Sequence, residues 1–490
     1  MVSHINNVLR DAPVLSGGPM NPLGNDVLHK VADGELLGSL LATSDPDALD
    51  LRALNTAPLD GSDLSPEAQL ENHTLLVNAA ASVGAAVPMI HETQLLYAPQ
   101  HKQVALQQAY NIIKHGLLSK INVMTQPHLA ALLADGEKPG QVPPEALLSR
   151  WINKHVDDYL RQHPQDRRRL PTEVAVSETL DGDISTQLAM ALHQVAKEPM
   201  LSVGNSILPT ARAKQVVDHA IAAAGPKIFA VAPSDLTQPR PRMQQCFVAS
   251  VVDAFGDGGE EGELDTYEEE TNDAAEGRVF KNWAASLGLK LNMKDLYADS
   301  CTGIVLLKVM ERLQPGSVDW SRVKGSPKNR YEKGDNCEYA LGVARKLGCK
   351  VVGIQGSDIA EGNEKLLLAV WWQLMRKDLL QFLDELDMDS AHVLAWANAR
   401  VLSAGCDVQL SKFGDPAVKS GVFLLELMRA VAPLAIREDL IKPGITELER
   451  QLNAKLAIST AHKMGARVFC GWQDILEARP KLVLSMIAAV

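Results

Sequence analysis

The sequence contains few cysteines and no long apolar run. The six cysteines all lie in the second half and form no CxxC pair: Cys246, Cys301, Cys337, Cys349, Cys406 and Cys470. This pattern argues against a structural zinc site and against a disulfide framework, so we expect reduced thiols. No apolar run reaches the roughly 20 residues that span a bilayer, and the first residues lack the basic-then-apolar layout of a secretion signal. We therefore expect a cytoplasmic protein without membrane insertion.

Basic residues are also in deficit, because 48 lysines and arginines face 60 acidic residues and leave a net charge of -12. Nonspecific binding of nucleic acid depends on basic groups that neutralise phosphates, so the charge argues against it. The 490 residues, of which 46% are hydrophobic and 22% charged, are enough for three or four folded domains. Any polyanionic partner must therefore be met by local basic patches.

A pattern that returns at intervals of roughly 115–140 residues is the most informative feature of the chain. Its four copies begin at Glu71 (ENHTLLVNAAASVG), Arg212 (RAKQVVDHAIAAAG), Asp335 (DNCEYALGVARKLG) and Leu452 (LNAKLAISTAHKMG). Each copy has apolar residues at three-to-four spacing and then a glycine, at Gly84, Gly225, Gly348 and Gly465. The spacing predicts an amphipathic helix that ends at that glycine.

Each copy is followed by a second, more apolar helix, and the one in EKLLLAVWWQLMRKDLL from Glu364 is apolar on nearly every side. A helix of this kind that is too short to cross a membrane is predicted to lie in a core. Its basic end, Arg376 and Lys377, is explained equally well by the helix dipole and by partner binding.

An opening helix precedes each repeat, with a tryptophan at Trp151, Trp283 and Trp396, and with His4 in the first copy. We predict an all-α chain with domains at residues 1–122, 145–255, 276–382 and 389–490, joined by linkers at 123–144 and 256–275. The second linker is acidic and contains glycines, as expected for a solvated tether that divides the chain into halves.

This order of segments resembles the calponin-homology domain. The third unit carries the clearest likeness, in FKNWAASLGL, LYADS, GIVLLKVMERLQPGSVDW and VVGIQGSDIAEGNEKLLLAVWWQLMRK. The fourth is similar through ARVFCGWQDILEARPKLVLSMIAAV, the first through NIIKHGLL, and the second through LLSRWINKHV. Four tandem copies with an acidic break in the middle resemble the fimbrin or plastin family of actin-bundling proteins.

The resemblance implies that each pair of domains forms one actin-binding module, and that two modules crosslink actin filaments into bundles. It implies a monomer that is not an enzyme, needs no cofactor or metal, and belongs to the cytoplasmic cytoskeleton. In the alternative, the chain is a one-sided scaffold in which only residues 276–490 bind filaments and the first half binds another protein.

The family's actin contacts lie on opening and closing helices. Carried over to matching positions, they predict a contact set of Ile112, Ile113, Lys114, Leu117, Lys120, Lys154, Arg278, Lys281, Gln373, Arg376 and Lys377. For each position, a solvated surface charge or a buried core residue is the competing interpretation.

The sequence departs from the family pattern in several places. The first opening helix, HINNVL, is short, which puts the affinity of the first module in question. The calcium-loop pattern D-x-[DN]-x-[DN]-G-x5-E does not occur, so calcium control is not expected for this chain.

The basic run Arg167–Arg169 is interpreted as an exposed loop, with a filament or lipid contact as the alternative.

Overall fold

A computed structural model describes residues 1–22, 24–56, 63–123, 125–135, 137, 142–166, 175–178, 180–196, 208–256, 272–289, 295–381, 383 and 388–490. Every regular element within these ranges is a helix, as the all-α prediction requires. The run Arg167–Arg169 and most of the predicted linker at 256–275 lie outside the described residues, as does part of the linker at 123–144.

Helices α1 to α11 form the first two repeats. They are α1 (Val2–Val8), α2 (Asp26–Val31), α3 (Glu35–Ser44), α4 (Pro66–Ser82), α5 (Glu92–Leu96), α6 (Lys102–Leu118), α7 (Pro144–Gln162), α8 (Ser185–Ala196), α9 (Pro209–Ala224), α10 (Pro233–Thr237) and α11 (Pro241–Phe255).

Helices α12 to α22 form the last two repeats. They are α12 (Asn272–Ser286), α13 (Leu296–Ser300), α14 (Ile304–Leu313), α15 (Arg330–Lys346), α16 (Gly356–Ala360), α17 (Glu364–Leu379), α18 (Ser390–Ser403), α19 (Val422–Val431), α20 (Glu447–Lys463), α21 (Trp472–Leu476) and α22 (Pro480–Ala489). Short 3-10 turns connect several of the helices: Pro13–Leu15, Leu51–Ala53, Pro127–Leu132, Gly225–Lys227, Trp320–Arg322, Pro416–Ser420 and Glu438–Leu440.

The backbone contacts divide the chain into two compact units that do not match its two sequence halves. The first unit contains residues 1–25 and 113–266, and the second contains residues 26–112 and 267–490. The second unit therefore includes most of the first repeat together with the third and fourth.

In the first unit, the short opening helix is well buried. Ile5 and Leu9 are fully enclosed, and the His4 ring lies edge-on to Phe229 with ring centroids 5.2 Å apart. His4 thus occupies a buried aromatic position, which agrees with its alignment to the tryptophans of the other repeats.

In the second unit, α17 lies in the core. This confirms the prediction made from its apolar residues, which cover nearly every side of the helix. Trp371 is fully buried and donates its indole N–H to Ser300 Oγ at 3.1 Å. Trp283 of the opening helix meets it edge-on at 6.2 Å and donates to Asp378 Oδ2 at 2.8 Å. Both indole N–H groups are satisfied, as buried tryptophans require.

The four predicted terminating glycines are confirmed. Gly84, Gly225, Gly348 and Gly465 all have positive φ, from 61° to 92°, a region that residues with a Cβ adopt at a cost. After Gly348, the Cys349 N–H returns to the Ala344 carbonyl at 3.0 Å, the hydrogen bond that closes a Schellman-type helix end.

A buried asparagine lies twelve residues before the glycine in three of the four repeats: Asn72, Asn336 and Asn453. The Asn453 amide donates to the carbonyls of Ser420 and Lys442, both at 2.8 Å, and its oxygen accepts from the Lys442 N–H at 2.9 Å. Asn336 makes the equivalent bonds to Thr302 and Lys324. Each asparagine thus joins two connecting segments to the amphipathic helix.

A glycine lies against each of these asparagines. A Cβ at Gly421, which has a φ of 71°, would lie 2.6 Å from Asn453 Cβ, and one at Gly303 would lie 3.1 Å from Asn336 Cβ. The second repeat has Ala213 at the asparagine position. The second repeat therefore lacks the buried asparagine that the other three repeats share.

His462 on α20 predicts a loss of stability in mild acid. Burial lowers its pKa from 6.5 to about 4, so the unfolded chain takes up the proton first and stability falls as pH drops below 6.5. Between pH 7 and pH 5 this one group costs about 2 kcal/mol. Protection of the α20 amides against hydrogen exchange, measured at both pH values, should change less with pH in His462→Gln than in the native chain. The exposed control His101→Gln should retain the native effect, and an unchanged pH effect in His462→Gln would contradict the assignment.

Candidate functional site

The predicted contact lysines of the first half lie where α6 ends beside α7 and α11. Lys114 Nζ is 3.5 Å from Glu145 Oε1 at the start of α7. Lys120 Nζ is 3.1 Å from Asp253 Oδ2 on α11, although 53% of the lysine side chain is exposed. Both lysines are thus partly neutralised by carboxylates of the second repeat. Lys154 on α7 is exposed and makes no ion pair with any residue that the structure describes.

The three apolar members of this set are enclosed. Ile112, Ile113 and Leu117 are all buried, so in this conformation their side chains hold α6 in place. Their contact with a filament remains a prediction and would require α6 to move.

The opening helix α12 of the third repeat carries Arg278, which is tied to the fourth repeat. Its guanidinium is 3.3 Å from the buried Asp474 Oδ2, an oxygen that also accepts from the Gly471 N–H at 2.7 Å. Burial raises the pKa of Asp474, and the Arg278 charge acts in the opposite direction. Arg278 thus has a structural task here. Lys281, one turn further, is half-buried.

The closing helix α17 carries the remaining predicted residues in its last turns. Gln373 accepts a hydrogen bond from the Lys350 N–H at 3.0 Å. Arg376 and Lys377 are half-buried and lie close enough to the Cys349 thiol to oppose the burial that raises its pKa to about 11. The structure therefore brings Gln373, Arg376 and Lys377 together on one region of the second unit.

A cleft of about 570 Å³ lies beside these residues, between α17 and the start of α18. Gln373 and Arg376 line it together with Lys350, Asp389 and His392. Its apolar walls are Trp372, Leu380, Leu383, Met388 and Leu484. We call it the α17–α18 cleft.

The sequence prediction missed Lys350 and His392. Lys350 follows the glycine that ends α15, and His392 completes the N-cap of α18, where its N–H donates to Asp389 Oδ1 at 3.0 Å. Both residues lie near Arg376 only because the helices pack together. Lys350 closely follows the third copy of the sequence repeat, but the repeat pattern does not indicate this proximity. The cleft joins the cationic groups of Lys350 and Arg376 and the Asp389 carboxylate to apolar walls.

Two negative findings limit other site types. Across the described ranges, no group of three or more His, Cys, Asp or Glu side chains has a geometry that could hold a metal ion. In the same part of the chain, no helix is both long and apolar enough to span a bilayer.

Comparison with known proteins assigns the family. The calponin homology (CH) domain family matches residues 275–379 and 388–490. Fimbrin-2 of Arabidopsis thaliana is 31% identical over 507 residues, covering 100% of this chain and 75% of that protein. The chain belongs to the fimbrin family. Fimbrin of Saccharomyces cerevisiae is 32% identical, and the alignment covers 99% of this chain and 76% of that protein. Plastin-3 of Homo sapiens is also 32% identical, over 96% of this chain and 75% of that protein.

The fold of this fimbrin-family chain agrees with a crystal structure from the same family. The actin-crosslinking core of Schizosaccharomyces pombe fimbrin aligns with a TM-score of 0.80 and 28% identity, covering 100% of this chain and 97% of that one. The all-α chain is thus composed of four tandem calponin-homology domains.

Proposed function

We propose that this chain binds actin filaments and crosslinks them into bundles in the cytoplasmic cytoskeleton. The observation that carries the proposal is the match to the S. pombe actin-crosslinking core along 100% of this chain. The proposal involves no catalytic step.

Two separate filament-binding regions are needed for crosslinking. We assign the first to Lys114, Lys120 and Lys154, and the second to the α17–α18 cleft with Arg376 and Lys377. Once one region is bound, the second engages a neighbouring filament at an effective concentration set by the chain itself. The net charge of -12 cannot steer the chain towards an acidic filament, so these local cations carry the attraction and high salt should weaken it.

Paired sedimentation with actin filaments tests this function. At high speed all filaments pellet and bound chain is measured, whereas at low speed only bundles pellet. The full chain should co-pellet at both speeds. A chain that co-pellets at high speed but never brings actin down at low speed would contradict crosslinking.

The full chain is the right material for this test. Residues 26–112 form one compact unit with residues 267–490, so cutting the chain into 1–255 and 276–490 would expose surfaces that are normally packed. Substitutions in the full chain therefore separate the two regions more safely than half-chains do.

The one-sided scaffold remains a second candidate, and one observation favours it. In the first region Lys114 and Lys120 lie near carboxylates, and the predicted apolar contacts on the same helix are buried. The second region has an open cleft beside its cations. If Arg376→Glu with Lys377→Glu removes all filament binding, only the second region binds actin.

Calcium should have no effect on bundling by these 490 residues, because they contain no match to the calcium-loop pattern. Low-speed sedimentation in excess calcium and in excess chelator should give equal amounts of bundled actin. A plastin that carries a calcium-loop match would serve as the positive control, and a calcium-dependent change in this chain would contradict the prediction.

A further inference from the structure

A second cavity, of about 500 Å³, lies within the second unit where three domains meet. Its walls come from α4, Gly84 and residues 86–92 of the first domain, from α12, α14 and Asp378 of the third, and from residues 467–469 of the fourth. This volume falls in the range of small-molecule sites, which often occur where domains meet. We call it the junction cavity.

The two arginines of the junction cavity differ in their partners. Arg467 is 3.0 Å from Asp378 Oδ2, so its charge is compensated. Arg312 donates to the Leu287 carbonyl at 3.1 Å and to the Met89 sulfur at 3.3 Å. No carboxylate among the described residues pairs with it. Arg312 therefore presents a guanidinium that forms no ion pair with the described residues, in a wall that also contains the carboxylates of Asp378 and Glu92.

Another part of the cavity wall is apolar. Val87, Leu313 and Phe469 line the cavity together with Met89. A mixed lining of this kind places a charged group at one end of a ligand and an apolar body at the other. The rim also carries the Glu92 carboxylate, which is 3.6 Å from His91 Nδ1 and faces that histidine.

Met89 is unusual in two respects that coincide at this cavity. Its φ is 60°, which is uncommon and strained for a residue with a side chain. Its side chain is also 69% exposed, so burial of that side chain does not repay the strain. Its flexible thioether, which contacts Arg312 at 3.3 Å, can adjust to an apolar ligand.

We propose that the junction cavity binds a small free organic anion with an apolar body, held by Arg312 through its anionic group. Because three domains supply the walls, the ligand contacts all of them at once. Binding therefore stabilises the contact of the first domain with the third and fourth.

The fluorescent anion 8-anilinonaphthalene-1-sulfonate is a suitable probe, since it combines a sulfonate with an aromatic body. Titrated into the full chain, it should bind one saturable class of site. Arg312→Gln removes the cation and Ala285→Phe fills the cavity from α12, where Ala285 is exposed and tolerates a larger side chain. Arg312→Gln should weaken binding by about tenfold or more because it removes a charge-assisted hydrogen bond. Ala285→Phe should weaken binding by a similar factor because its ring occupies the space that the aromatic body of the probe needs.

Controls separate the site from general surface binding. Arg437→Gln removes an exposed arginine of the fourth domain outside the cavity and should leave the affinity unchanged. Naphthalene-1-sulfonate should displace the probe, and the cation 1-naphthylmethylammonium should not. Equal affinities for the native chain, Arg312→Gln and Ala285→Phe would overturn the proposal, as would equal displacement by the two naphthalene compounds.

Discussion

Bundling of actin filaments should be lost when Arg376 and Lys377 are both replaced by glutamate, while filament binding persists. Both cations lie in the last turns of α17, beside a cleft that also presents Lys350. Reversing two charges against an acidic partner costs at least about tenfold in affinity for each, since like charges at an interface repel. High-speed sedimentation should then report binding through the first region only, and low-speed sedimentation should recover almost no actin.

Two further variants make this result specific. Arg437→Glu reverses a charge of the fourth domain that pairs locally with Asp439, and it should bundle like the native chain. Lys114→Glu with Lys120→Glu attacks the first region and should also abolish bundling while leaving binding through the second. Normal bundling by the Arg376 and Lys377 variant would refute the assignment of the second region.

The fourth domain should lose about 3 kcal/mol of stability on replacement of Asn453 by alanine. The substitution removes three part-buried hydrogen bonds and leaves the Ser420 carbonyl and the Lys442 carbonyl and N–H without this partner, and an unsatisfied buried group costs about 1–3 kcal/mol. Because a chain of several domains does not unfold in one step, hydrogen exchange is the better measurement. The amides of α19 and α20 should exchange about a hundredfold faster.

Gln409→Ala is the matched control, since it removes an amide whose bonds to Asn398 and Val408 are exposed. It should leave exchange in α20 near the native rate. The third domain offers a replicate, because Asn336→Ala removes the same set of bonds and should accelerate exchange in α14 and α15. Native exchange rates in both asparagine variants would show that the motif does not hold these helices together.

Much of the fold could be predicted from local patterns. The amphipathic helices, the glycines with positive φ that end them, and the core position of α17 all follow from residue spacing. The asparagine motif was overlooked, although a signal existed: an asparagine recurs twelve residues before the glycine in three copies. An isolated polar residue on a helix is usually exposed, and only the carbonyls that face Asn453 and Asn336 give it a structural task.

The candidate sites were harder to predict because exposure depends on distant residues. Ile112 and Lys114 are neighbours in the same predicted set, yet one is buried and the other lies 3.5 Å from Glu145, 31 residues further along the chain. Arg278 was predicted as a surface contact, whereas its partner Asp474 comes from another domain. The sequence places Ile112 and Arg278 on helices, but it does not show which distant residues pack against them.

The sequence by itself determined that this chain is all-helical, that it contains four related units, and where the repeated amphipathic helix of each unit ends. These properties depend on side-chain periodicity and on backbone preferences within a few residues. Only the tertiary structure decided that residues 26–112 pack with residues 267–490 rather than with the rest of the first half. It alone also placed Arg312, Met89 and Phe469 around one cavity, because packing between domains depends on surfaces whose residues lie hundreds of positions apart in the chain.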